Sequence, residues 1–264
     1  YVGKGLIGVR KIPLCCVPTT SGAGSEASPN AIIIDDTDNA KKGIIDPVLV
    51  PDAVYIDPKL MVTLPKSVTA YTGLDALTHC IEAYANRNAH PVIDVYALEG
   101  IRLIGQNLSS AIGNGHDLEA REKVALGAYY GGMCLGPVNT AAVHALAYPL
   151  GTYYKIAHGL SNALLLPYVL EYNLEVAASR YANIAMAMGA IQQRTDLQTA
   201  LEGVKIIRKL ITDCGIPASL SEMNVETGKI EYLASEAMKI QRLLSNNVRE
   251  LSMEDATSIY LKAY

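Results

Sequence analysis

A chain of 264 residues that is half hydrophobic and only 18% charged has enough apolar material for a substantial core, and too little charge to be disordered. Its formal net charge of −4 gives no electrostatic reason to expect nucleic acid or an anionic membrane as a partner. Five cysteines, an odd number with no CxxC spacing, argue against a disulfide framework or a cysteine zinc site and point to a reducing cytoplasm.

Up to about Pro58 the chain alternates short apolar runs (KIPLCCVP, NAIIIDD, KGIIDP, DAVYIDP) with Pro, Gly and Asp clusters, a pattern of short strands and loops. The N-terminal VGKGLIG places Gly3, Gly5 and Gly8 in GxGxxG spacing, but a dinucleotide fingerprint needs a preceding strand and a following helix. Only two residues precede Gly3 and Pro13 follows soon after, so a loop is expected. PTTSGAGSE, residues 18–26, offers hydroxyls and backbone N–H groups that suit a phosphate or ribose. Composition alone favours an ordinary Gly/Ser turn there.

From Ser67 onward the periodicity is helical, with helices expected at about 67–86, 91–112, 117–134, 138–148, 158–170, 174–188, 195–213, 227–243 and 252–263. Pro91 suits a first helical turn, Asp117 an N-cap, and Gly189 and Gly215 helix ends. Ser252 and Asp255 have capping-box spacing. The longest apolar run, ALLLPYVL, is too short to span a bilayer and is interrupted by Pro167. There is no Phe or Trp against 16 Tyr, so aromatic packing falls to tyrosines whose hydroxyls need partners. The expected fold is mainly α: a partial α/β segment over 1–60, then an all-helical domain over 61–264.

In TGLDALTHCIEAY, Asp75 and His79 stand four apart on one helix and therefore project from one face. His90 and His116 lie in polar turns and read as surface residues, whereas His79, His144 and His158 lie in or beside apolar segments. Asp75 with these three histidines makes a full four-coordinate set. His144 and His158 are fourteen residues apart, about 21 Å along one helix, but Pro149 and Gly151 between them should break it. On spacing alone, a metal site and three satisfied core histidines stand level. A nucleophilic Cys80 beside His79 is disfavoured, because neighbours on a helix point about 100° apart and no GxSxG elbow exists.

The blocks TTSGAGSE, DP…LVPDAVYIDP, TGLDALTHCIEAY, HALAYPLG…AHGLSNALLLPYVLEYN and the closing NNVRELSMEDATSIYLKAY resemble, in content and order, the iron-containing (group III) alcohol dehydrogenases. That resemblance implies a dehydroquinate synthase-like fold with metal ligands at Asp75, His79, His144 and His158. It places cofactor contacts at Thr19, Thr20, Asn30 and Lys41. It implies hydride transfer between a small primary alcohol or aldehyde and NAD or NADP, assisted by Fe(II) or zinc. Family members begin with a further α/β region carrying a GGGS…D pyrophosphate loop, so the chain is expected to be a truncated form with exposed strand edges. Association into homodimers or larger species is expected to follow. Two departures stand out: Ala23 where the family usually has Thr, and Tyr148 where some members carry a His. The alternatives are a non-catalytic metal-binding or engineered fragment unable to hold NAD(P), and, ranked below it, a metal-dependent hydrolase.

Overall fold

The computed structural model describes residues 1–264 except Asp36, Asp38 and Asn39, and except the side chains of Ile34, Ala40 and Lys41. Strands occupy the first part of the described chain: β1 (Gly3–Lys4), β2 (Cys15–Cys16), β3 (Asn30–Asp35), β4 (Ala40–Ile45) and β5 (Ala53–Val54). β3 and β4 pair antiparallel from Asn30 opposite Ile45 to Asp35 opposite Ala40, and β1 adds parallel to β4. β2 and β5 form a separate parallel pair. VGKGLIG opens no helix, as expected for a loop: Gly3 and Lys4 are strand, and residues 6–11 are irregular.

The rest is helical: α1 (Lys66–Tyr84), α2 (Pro91–Gly113), α3 (Leu118–Leu135), α4 (Ala142–Tyr154), α5 (His158–Ala187), α6 (Asp196–Asp213), α7 (Ile230–Met238), α8 (Gln241–Leu244) and α9 (Met253–Ala263). The expected end signals operate. Pro91 opens α2, and Asp117 accepts a hydrogen bond from the Ala120 N–H at 3.0 Å. Gly189 and Gly215 turn the chain with φ of +100° and +71°. At α9 the Asp255 N–H donates to Ser252 Oγ at 3.1 Å and the Ser252 N–H donates to Asp255 Oδ2 at 2.9 Å. Ser252→Ala removes this cap, and a loss of about 1 kcal/mol in a urea titration is expected.

Three boundaries depart from the periodicity. The helix from Ala142 runs through Pro149 and Gly151 to Tyr154, so the predicted break there does not occur. A helical proline sacrifices one backbone bond, but Ala142–Ala147 and Leu150 are buried and their packing outweighs that loss. The chain turns instead at Lys155, which adopts the left-handed conformation at φ +55°. The helices expected at 158–170 and 174–188 are one helix kinked at Ala177. The one expected at 227–243 is divided at Lys239–Ile240 into α7 and α8.

α1 runs through the middle of the core, with 14 of its 19 residues buried. Leu74, Leu77 and Ile81 pack with Ile101, Ile104 and Leu108 of α2 and Leu146, Leu150, Leu165 and Leu166 of α4 and α5 in one apolar cluster. The buried tyrosines, Tyr84, Tyr181 and Tyr260, find hydroxyl partners. Fully buried Tyr260 donates its hydroxyl to the Leu146 carbonyl, and the Tyr181 hydroxyl accepts from Asn173 at 3.0 Å. No described helix is long and apolar enough to cross a membrane.

Candidate metal centre

Close backbone approaches to α1 assemble the site. A Cβ on Gly159, in the first turn of α5, would lie 2.0 Å from the Tyr71 carbonyl oxygen, so only glycine lets α5 pack this tightly on α1. The TTSGAGSE loop is seated in the same way. A Cβ on Gly22 would lie 2.4 Å from Thr72 Cβ, and Gly24, at φ +63°, meets the Gly132 backbone of α3. Ser21, buried, completes the seat by donating to Met61 Sδ.

The four residues singled out in the sequence converge. Asp75 and His79 come from α1, His144 from the first turn of α4, and His158 is the first residue of α5. Asp75 Oδ1 lies 3.8 Å from His79 Nε2, 3.5 Å from His144 Nε2 and 3.7 Å from His158 Nε2. Donors bound at about 2.1 Å to one tetrahedral ion stand roughly 3.4 Å apart, so this spacing fits a metal. The His79 and His144 rings stack at 4.8 Å, and the His158 ring stands edge-on to His144 at 5.2 Å. Asp75, His79 and His144 are buried, and their donor atoms lie within 4.8 Å of one another. His90 and His116 are exposed, as expected of surface residues.

The electrostatics are those of a tightly coupled buried cluster. Burial would raise the Asp75 carboxyl, but His79, His158 and His144 together override it and hold the group well below the usual carboxylate range. Burial lowers His79, and Asp75 only partly offsets this. Burial also disfavours charge on His144, yet Glu82 and Asp75 outweigh it and raise the imidazole to about 9.

Two residues that the sequence reading passed over complete the cluster. The Asn162 carboxamide, fully buried, donates to Asp75 Oδ1 at 2.6 Å and lies 3.1 Å from His144 Nε2 and 3.4 Å from His158 Nε2. Glu82, buried on α1, meets His144 Nδ1 at 2.6 Å. Helical spacing was the available signal: Asn162 follows His158 by four, and Glu82 follows His79 by three.

The cluster opens on a cavity of about 390 Å³. One wall is helical, with Asp75, His79, His144, His158 and Tyr148; the other is the β-side segment, with Ala23, Ser25, Ser28 and Asn30. Asn30 Oδ1 is buried there and has no hydrogen-bond partner among the described residues. Thr19 is exposed and Thr20 half-buried, and neither lines the cavity. Lys41 is described only through its backbone, opposite Ile34, and its side chain lies outside the described residues. Arg242 reaches the cavity and donates to the Tyr148 hydroxyl at 3.4 Å. Cys80 faces the Gly127 carbonyl at 3.8 Å, and burial pushes its thiol well up, the setting of a structural buried cysteine.

Two family models match the chain: "Fe-containing alcohol dehydrogenase family, C-terminal" over residues 69–264, and "Iron-containing alcohol dehydrogenase" over residues 1–58. Long-chain-alcohol dehydrogenase 1 of Geobacillus thermodenitrificans is 38% identical over 97% of this chain, which spans 64% of that relative's length. The NAD-dependent methanol dehydrogenase of Bacillus methanolicus is 33% identical over 100% of this chain and 69% of its own. A crystal structure of a 1,3-propanediol oxidoreductase superposes with a TM-score of 0.97 at 34% identity, covering 100% of this chain and 69% of that one.

Proposed function

We infer the activity from one premise: this chain belongs to the iron-containing alcohol dehydrogenase family. The proposed reaction is hydride transfer between a small primary alcohol, or its aldehyde, and NAD or NADP. The observation that carries it is the four-donor cluster opening on a cavity whose opposite wall is the TTSGAGSE–Asn30 segment. Asp75, His79, His144 and His158 would hold Fe(II) or zinc, which as a Lewis acid lowers the pKa of the alcohol hydroxyl. The nicotinamide would accept the hydride, leaving the proton to solvent.

The chain's own residues do the rest. Asp75 would contribute the one negative charge among the four ligands, since imidazoles ligate a metal in the neutral form, so the ligands alone would not neutralise a divalent ion. Asn162 fixes the Asp75 carboxylate by hydrogen bonding to Oδ1. Asn30 lines the cavity, and its buried carboxamide oxygen has no partner among the described residues, an acceptor a cofactor amide or hydroxyl would satisfy. Tyr148 lines the cavity beside Arg242, and burial raises its hydroxyl. Thr19, Thr20 and Lys41 belong to the cofactor contacts on this reading, with Thr19 at the exposed edge of the loop.

The relatives' named substrates differ in size, so the alcohol class is proposed no more narrowly. The same reading divides the chain near residue 60 into a cofactor-side segment and a catalytic helical domain. It places the protein, with its free thiols, in the cytoplasm. Self-association is part of it, since Val9 and Ile12 are 88% and 77% exposed on the β-side segment.

The test is metal analysis and NADH oxidation by short aldehydes, with wild type and His144→Ala reconstituted anaerobically with Fe(II). Wild type is expected to retain about one ion per chain and to turn over, and His144→Ala to lose both. Wild type without metal would sink the reading. Metal retention without saturable NAD(H) binding would make the chain a metal-binding helical module instead.

A further inference from the structure

Glu82 is a buried carboxylate at this centre that is not one of the four expected ligands. It follows Asp75 by seven residues and His79 by three, so all three project from one side of α1. Only 5% of Glu82 is exposed, and a carboxylate so buried needs partners for both oxygens. Oε1 accepts the Val143 N–H at 2.6 Å, and Oε2 lies 2.6 Å from His144 Nδ1. Both partners stand in the first turn of α4, where Ala141 provides no side-chain cap. Glu82 therefore satisfies one of the orphan N–H groups of that helix end and places negative charge where the helix dipole favours it.

The same contact sets the state of the imidazole. His144 directs Nε2 toward Asp75 Oδ1 and Nδ1 toward Glu82. With the Nδ1 proton held by the carboxylate, the lone pair on Nε2 is left for an ion. His79 is held differently: its Nδ1 meets no side-chain hydrogen-bond partner among the described residues, and the Gly22 backbone acts on that imidazole.

We propose that Glu82 is a positioning residue of the metal centre, which fixes the tautomer and orientation of His144 and adds a second negative charge near a divalent ion. The proposal rests on the reading of Asp75, His79, His144 and His158 as the ligands. Glutamine is the informative replacement. If its oxygen faces His144, its NH2 opposes the Val143 N–H. If the NH2 faces His144, it donates to Nδ1 and moves the proton onto Nε2, the ligating atom. Either arrangement costs the site.

The experiment titrates Zn(II) and Co(II) into the full 264-residue chain against a chromogenic chelator, for wild type and Glu82→Gln. Glu82→Gln is expected to bind about 10- to 100-fold more weakly. Its Co(II) ligand-field bands should shift, while the thermal midpoint of the metal-free protein, measured separately, registers any purely structural loss. In the Zn-loaded wild type, 15N NMR should place the His144 proton on Nδ1 in slow exchange with water. Affinity within about twofold of wild type with an unchanged His144 signal would overturn the proposal. A wild-type proton found on Nε2 would overturn it without any variant, which covers a Glu82→Gln that fails to fold. Wild type that binds neither ion would overturn the ligand reading itself, a result distinct from equal binding by both proteins.

Discussion

Gly159→Ala is expected to be among the most damaging single-atom additions available in this chain. The new Cβ would sit 2.0 Å from the Tyr71 carbonyl oxygen and 2.7 Å from its carbonyl carbon, and both are backbone atoms of α1. A flexible side chain could swing aside, but α1 is packed on every side and cannot. α5 must therefore move off α1, and its first residue is the ligand candidate His158. Overpacking of this kind costs on the order of 3 kcal/mol. In a chain of this size that corresponds to a fall in thermal midpoint of roughly 5–10 °C. Metal affinity should fall as well, because Asp75 Cβ lies 3.2 Å from the same added methyl. Calorimetry of the metal-free variant separates the two effects. An unchanged midpoint would mean that α1 and α5 do not approach at this point.

Asp75→Asn changes charge without changing shape, and its expected effect falls on the metal. The carboxylate is the only anion among the four proposed donors, and its Oδ1 stands within 3.8 Å of all three imidazole Nε2 atoms. Removing one charge from a buried, paired set costs about 3–5 kcal/mol. Zn(II) affinity should therefore weaken by at least about 100-fold. Asparagine can still accept the Asn162 N–H through its own oxygen, so circular dichroism should remain that of wild type. Retention of near-native affinity would show that the ion, if bound, is not held at Asp75.

Much of the site was legible in the chain. Asp75 and His79 needed only the helical period, and a carboxylate and an imidazole on one apolar face posed the right question. The same anomaly stands at Glu82 in CIEAY, three residues on, but only burial reveals it, because a lone acid on a helix is usually solvated. His144 and His158 come together in the fold, but the chain reverses at a different place from the expected break. Proline's local cost is real, but the burial of Ala142–Ala147 and Leu150 carries α4 past Pro149, and the chain reverses at Lys155. The cofactor-side residues were the least legible. Asn30 reaches the cavity while Thr19 and Thr20 do not line it, because TTSGAGSE is placed by contacts with Thr72 and Gly132 far along the chain.

The sequence by itself determined the helical character after residue 66, the helix ends at Pro91, Asp117, Gly189, Gly215 and Ser252, and the donor types available to a metal. Those depend on periodicity, backbone conformation and side-chain chemistry, all local properties. Tertiary structure alone decided that three imidazole donors gather within 3.8 Å of Asp75 Oδ1, and that Glu82 and Asn162 stand behind them. It also decided that a cavity separates them from the β-side segment. The reason is that convergence rests on two glycine-permitted backbone contacts, α1 with α5 and the TTSGAGSE loop with α1 and α3. Close packing between distant segments leaves no periodic trace in the chain that folds into it.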